Sequence, residues 1–201
     1  MNRVRPLAVV IAALAALAVT LPAAAYDPEQ TFKDGTFVLS FDGGGGSQLN
    51  AQDHSDQSGI TLWWFQNRFA WIPGGPIGRD TFLYGAFEAG FEAVFQKYVQ
   101  PSTYFAGLGA AFRYHFLGLG RFVPYLEVGG APGYENLRVK EIKSEFAFRV
   151  YAGLGASVFV SDNAAIYMGA RVVHVSNGNT ASPNRGFEAL SGALGVSFFF
   201  P

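Results

Sequence analysis

Ser176, His174 and Glu188 are a hydroxyl, an imidazole and a carboxylate lying close together in the chain. Serine hydrolases build their nucleophile, general base and orienting acid from these three groups. The stretch reads Arg171-Val-Val-His174-Val-Ser176-Asn177-Gly-Asn-Thr-Ala-Ser-Pro-Asn184-Arg-Gly-Phe-Glu188. A serine hydroxyl is a weak nucleophile unless a base lies within hydrogen-bond reach. His174 precedes Ser176 by two residues, so on an extended strand both side chains leave the same face. Glu188 can hold the other ring nitrogen and stabilise the imidazolium. Asn177, Gly178 and Asn184 supply N–H donors for a developing oxyanion. The other reading of the same residues is a polar cluster at a strand end, of the kind membrane barrels carry at the interface. Spacing and parity leave both readings open.

The elements that must position these groups are legible around them. Ile166, Met168, Ala170 and Val172 share one strand face with His174 and Ser176, and Tyr167, Arg171 and Asn177 lie on the other. On the next run Leu190, Leu194, Val196, Phe198 and Phe200 share a face with Glu188. The three polar residues thus end apolar faces. A lipid surround explains the apolar runs, and then the candidate site lies on the outside of a barrel, at a membrane surface.

The 201 residues suffice for one domain and a leader. Arg3 and Arg5, the apolar run Leu7 to Leu21 and Ala23-Ala24-Ala25 read as a signal peptide with its cleavage site. Residues 1–25 are therefore set apart, and residues 26–201 form the domain, expected to be exported. Fourteen Lys and Arg against fifteen Asp and Glu give no electrostatic case for nucleic acid. The absence of cysteine excludes disulfides, thiolate metal sites and a cysteine nucleophile. No cofactor or metal is implied. Twenty-five glycines and twenty phenylalanines suit a lipid-facing sheet with a crowded interior.

Eight segments follow in order. Phe37, Leu39 and Phe41 alternate, after which Gly43 through Ser58 reads as a polar, glycine-rich loop; His54 within it receives no role. Gly59 to Ile72 alternates poorly, and its tryptophans suit an interfacial girdle. From Thr81 onward Leu83, Phe87, Phe91 and Phe95 oppose Glu88, Glu92 and Gln96. Two further segments follow, over about 103–116 and 121–128, and residues 131–143 read as a polar loop. The sixth carries Phe146, Phe148 and Val150 against Arg149 and Tyr151. The last two span about 164–177 and 187–200. Ten-residue alternating segments between turns describe an all-β, eight-stranded antiparallel transmembrane β-barrel. Glu88, Glu92, Arg113, Glu127, Arg149 and Arg171 are expected to point inward and pair, since unpaired buried charge is costly; His115 shares their face and is read as structural. With both termini in the periplasm, the loop between strands 7 and 8 is extracellular, and the site meets the outer leaflet.

His174-x-Ser176-Asn177 with Pro183-Asn184-x-Gly186-x-Glu188 resembles the signature of the outer-membrane lipid A 3-O-deacylase family. The likeness is close over the last hairpin, including the His-to-Glu spacing, and one of character only in Phe122-Val-Pro-Tyr-Leu-Glu-Val-Gly129. It implies an eight-stranded barrel with a Ser-His-Glu triad on its outer wall. Ser176 is then the nucleophile, His174 the general base, Glu188 the orienting carboxylate and Asn184 an oxyanion contributor. The implied reaction is metal-free hydrolysis of the ester-linked 3-hydroxyacyl chain at position 3 of lipid A in the Gram-negative outer membrane. Lipopolysaccharide and outer-membrane lipid are the implied partners, and lipid-facing strands make a homodimer possible. Two departures stand out: Asn179 where the family carries glycine, and a terminal Pro201 in place of an aromatic residue. The competing functions are another outer-membrane lipid esterase, a phospholipase, and a non-catalytic barrel that binds lipopolysaccharide or stabilises the membrane. Known phospholipase barrels are larger and carry calcium ligands, and no such acidic cluster is visible in this sequence.

Overall fold

A computed structural model describes residues 26–49 and 57–201, so the signal-peptide reading and His54 lie outside the described residues. Eight strands form a closed antiparallel barrel in sequence order. They are β1 (Phe37–Leu49), β2 (Thr61–Trp71), β3 (Gly85–Tyr98), β4 (Thr103–Phe116), β5 (Phe122–Glu135), β6 (Phe146–Phe159), β7 (Ala164–Ser176) and β8 (Phe187–Phe200). Closure comes from β1 pairing with β8, from Phe37 opposite Phe200 to Leu49 opposite Glu188. No strand edge is left open, which is the condition for crossing a lipid layer with strands.

The side chains sort by parity. Phe65, Phe91, Leu108, Leu126, Leu154 and Leu194 are among the many large apolar groups exposed on the outer wall. The interior holds charge. Glu127 on β5 accepts from Arg171 on β7 (Nε to Oε1, 2.6 Å) and from Arg113 on β4 (2.9 Å), and Arg68 on β2 approaches at 3.3 Å. Arg171 also meets Asp42 at 2.8 Å. Glu92 accepts from Tyr151 (2.7 Å) and Gln66 (2.9 Å), and His115 lies 2.8 Å from Glu88. Of the inward set expected from alternation, Glu88, Glu92, Arg113, Glu127 and Arg171 are paired inside the barrel, with Arg68 and Asp42 added, while Arg149 is buried with its Nε donating to Gln96 (3.0 Å). An apolar outer wall around a paired polar interior makes this a transmembrane β-barrel. A short helix, α1 (Pro28–Thr31), capped by Asp27, closes the end that carries the termini. The Phe32 ring beyond it packs on Phe159 and Phe199.

Four expectations need correction. The glycine run is strand, not loop: β1 continues through Gly43–Gly46 to Leu49. An added Cβ at Gly44 would sit 1.9 Å from the Gly192 carbonyl oxygen and 2.8 Å from the Trp64 ring, so only hydrogen fits where the indole fills the interior. β2 alternates regularly, but both faces carry aromatic rings: Trp63, Phe65, Phe69 and Trp71 point out while Trp64 is buried inside. The tryptophans thus form no single girdle. Residues 131–143 are not all loop, because β5 extends to Glu135 and Arg138 pairs with Lys143 in a small hairpin. The third strand also begins later than its pattern suggests, at Gly85, leaving Leu83 in the preceding loop.

Glu127 is the barrel interior's common acceptor for three buried guanidinium groups, so its removal leaves them under-compensated. Glu127→Ala is expected to destabilise the barrel by about 3–5 kcal/mol, read from the urea midpoint in detergent micelles. An unchanged midpoint would mean that the interior charges contribute little to holding the barrel closed.

Candidate active site

The β7–β8 ladder sets His174 directly opposite Glu188. On the same ladder Val172 faces Leu190, and both are exposed on the lipid side. His174 Nδ1 lies 3.0 Å from Glu188 Oε1, with the side chains 36% and 18% exposed. An ionised carboxylate only accepts, so this contact assigns the ring proton to Nδ1 and leaves the Nε2 lone pair free. Ser176 ends β7 on the same face, opposite Phe148 of β6. Gly186 brings the two residues to one point. Its φ is +68°, and a Cβ there would lie 3.0 Å from His174 Cε1 and 3.2 Å from Ser176 Cβ. Those two atoms are therefore within about 6 Å of each other, close enough for a hydroxyl and a ring nitrogen to meet by side-chain rotation. Hydroxyl, imidazole and carboxylate are thus gathered on the outer wall.

The loop between β7 and β8 is held by its asparagines. The Asn177 N–H donates to Asn184 Oδ1 (2.8 Å), and Asn184 Nδ2 donates to Asn179 Oδ1 (2.9 Å). A backbone N–H can only donate, which fixes the orientation of the Asn184 amide. Asn177 is buried, and its Nδ2 donates to the carbonyls of Ala181 (2.9 Å) and Pro183 (3.4 Å). Its donors are thus taken up in shaping the loop. Gly178 N–H donates to no group among the described residues, and Asn184 Nδ2 keeps a second proton. Gly178 and Asn179 have φ of +61° and +64°. Asparagine tolerates the left-handed region, so Asn179 adopts a conformation that glycine adopts freely, and its side chain braces Asn184 as well.

Glu141 carries no motif and no periodic position, and sequence reasoning assigned it nothing. It lies in the loop between β5 and β6 and is 1% exposed. Its carboxylate accepts from Gln48 Nε2 (2.9 Å), Ser58 N (2.9 Å) and Ser58 Oγ (2.7 Å). Its carbonyl accepts from the N–H groups of Arg185 (2.9 Å) and Gly186 (3.1 Å). One residue thereby fastens the segments flanking the β1–β2 connection to the loop that carries Gly186. Burial raises the Glu141 pKa, but the hydrogen bonds from Gln48 and Ser58 outweigh it and hold the carboxyl below its ordinary value. Its only sequence signal is an acid flanked by lysine and isoleucine, which any solvated loop could show. Among the described residues no group of three or more His, Asp or Glu is arranged to hold a metal ion.

A family model described as lipid A 3-O-deacylase (PagL) matches residues 47–197. The crystal structure of the outer membrane enzyme PagL superposes with a TM-score of 0.57 at 17% identity, covering 78% of this chain and 97% of that one. That of Neisserial surface protein A superposes with a TM-score of 0.54, also at 17% identity, covering 82% and 97%. No curated protein sequence matches the chain. The two structures share the fold with this chain, and a fold by itself does not choose a chemistry.

The Glu141 carboxyl is depressed in the folded protein, so the stability it contributes is present above its unfolded pKa. That contribution is lost as pH falls through the lower folded value. Exchange of the Arg185 and Gly186 amide hydrogens, corrected for intrinsic rates, should therefore accelerate on acidification below the ordinary carboxylate range. In Glu141→Gln these amides should be less protected, by about 1–2 kcal/mol, and their protection should no longer depend on acid pH. Equal protection in the two proteins would show that the carboxylate does not fasten the loop.

Proposed function

The chain belongs to the lipid A 3-O-deacylase family, whose model takes in residues 47–197, and from that premise we propose that it hydrolyses the ester-linked 3-hydroxyacyl chain at position 3 of lipid A. The barrel then sits in the outer membrane of a Gram-negative cell, with the β7–β8 loop at the outer leaflet. The observation that carries this reading is the 3.0 Å contact of His174 with Glu188 on the lipid-facing wall, two residues along the strand from Ser176.

In this mechanism His174 Nε2 takes the proton of Ser176 Oγ as that oxygen attacks the ester carbonyl. Glu188 holds Nδ1–H and stabilises the imidazolium without taking the proton itself. The oxyanion of the tetrahedral intermediate is met by Gly178 N–H and the Asn184 amide. Collapse breaks the bond to the sugar 3-oxygen, which leaves with the proton held by His174. Water, deprotonated by the same imidazole, then attacks the acyl-serine ester; the bond to Ser176 Oγ breaks, His174 returns the proton to that oxygen, and the 3-hydroxy fatty acid is released. No step requires a metal ion. The apolar wall around the site, including Val172 and Leu190, can hold the acyl chain alongside the barrel.

Mass spectrometry of lipid A from Gram-negative cells expressing the chain tests the reaction. Loss of one 3-hydroxyacyl chain is expected, with Ser176→Ala at least about a thousandfold slower although still folded. Unchanged lipid A alongside an inserted, folded barrel would overturn the proposal for that substrate. A second test separates geometry from chemistry. Glu188→Gln should reduce kcat by a factor on the order of 10²–10⁴. Gly186→Ala should also lose activity, because its methyl would press on His174 and Ser176 in a strained backbone conformation. A fully active Gly186→Ala would mean that the histidine and serine need not be held as the structure has them.

A further inference from the structure

The two loops that flank the candidate site, 136–145 and 177–186, carry four cations and two carboxylates. One of the carboxylates, Glu141, is buried and turned toward Gln48 and Ser58. The exposed surface beside the site is therefore basic. The segments at the opposite end of the barrel reverse this, with Asp27, Glu29, Asp34, Asp80 and Asp162 against three cations.

The basic residues are held in place rather than carried on a free tip. Arg138 pairs with Lys143 as antiparallel strand partners, so their side chains leave one face of the hairpin. Both are exposed, whereas Leu137, Ile142 and Ser144 on the other face are buried. The hairpin is joined to the site loop by the Ile142–Asn184 bridge and by Lys143 N donating to the Pro183 carbonyl (3.4 Å). The Glu141 carbonyl adds its bonds to Arg185 and Gly186. Asn184 in turn holds the Asn177 N–H, next to Ser176. Two hydrogen-bonded links thus fix the cation pair relative to the serine. Arg138 has an exposed partner in Glu145 at 3.5 Å, a pair that an incoming dianion can displace. No carboxylate is in ion-pair range of Lys143 among the described residues.

We propose that Arg138 and Lys143 bind a phosphate monoester on the sugar headgroup of the glycolipid whose acyl ester the neighbouring site hydrolyses. This rests on the deacylase reading for its substrate. A guanidinium offers a planar fork to phosphate oxygens and an ammonium adds a point charge. The pair would set the headgroup over the loops while the acyl chain lies along the wall. Exposed charges at such a rim act mainly on binding and are weakened by salt.

The test uses purified protein in neutral detergent micelles, with diphosphoryl lipid A and the same lipid after phosphatase treatment. The wild type is expected to show a KM for the diphosphoryl lipid lower by up to about tenfold, with the preference shrinking as salt is raised. In the double variant Arg138→Gln, Lys143→Gln the KM for the diphosphoryl lipid should rise toward that of the dephosphorylated one. Equal KM values in the wild type, or a preference that survives in the variant, would overturn the proposal. Binding of both lipids to the Ser176→Ala protein and to its Arg138→Gln, Lys143→Gln derivative, followed by fluorescence titration, reads the headgroup site without turnover. A phosphate preference there, abolished by the rim substitutions, supports the cation pair even if no hydrolysis occurs, and then only the deacylase reading fails. Absence of that preference overturns the cation pair whatever the turnover. Inorganic phosphate as competitor separates sources: failure to displace the lipid at millimolar concentration is expected for a headgroup site, and displacement with no preference between the lipids would indicate a free-anion site instead.

Discussion

Glu127 receives guanidinium groups from three other strands across the barrel interior, and the remaining structure depends on interactions of this kind. A transmembrane barrel gains nothing from hiding its apolar side chains from water, since lipid receives them on the outside. Its interior here holds two buried apolar clusters and a set of charged side chains, and the charges are tolerable there only when they find hydrogen-bonding or ionic partners. Arg68, Arg113, Arg149 and Arg171 are all buried and share that interior with Asp42, Glu88, Glu92 and Glu127. Arg68, Arg113 and Arg171 meet carboxylates on other strands, and Arg149 donates from Nε to Gln96 (3.0 Å). The network ties β7 to β5 and β1 through Arg171, and the backbone ladder sets the register at which β7 meets β8.

That register is what a hydrolytic site would need. Opposite positions on antiparallel strands bring His174 and Glu188 together without any special loop, and two residues of strand put Ser176 on the same face. The loop then contributes refinement: glycine where the imidazole and the serine leave no room, and asparagines that brace one another. Neisserial surface protein A has the same barrel architecture, so the scaffold by itself does not specify a chemistry.

Much of this was legible in the sequence, for a simple reason. Alternation with period 2 survives wherever the two faces differ in chemistry, as on β3 and on the last three strands, and it put His174, Ser176 and Glu188 on outward faces. It failed where side chains carry no contrast. Glycines 43–46 have none, and their strand exists because the interior is too crowded for anything larger. β2 places aromatic rings on both faces, so its regular alternation of burial looks irregular as text. Glu141 was invisible for another reason: its partners Gln48, Ser58, Arg185 and Gly186 lie tens of residues away on either side. The extent of β5 beyond residue 131 was missed in the same way, since its polar end is defined by what it pairs with.

The candidate site lies on the outward, lipid-facing wall, so a lipid substrate would reach it from the barrel's flank. Under the deacylase proposal, substrate and enzyme would share one sheet of lipid, and their encounters would be counted per unit area. Dilution of the cell suspension would leave the rate untouched, whereas dilution of the glycolipid among other lipids in the same leaflet would slow it. Rotation of the barrel about the membrane normal would decide which neighbours it meets. The freed fatty acid would emerge into the layer that supplied it, and its departure would be set by how fast that layer mixes sideways.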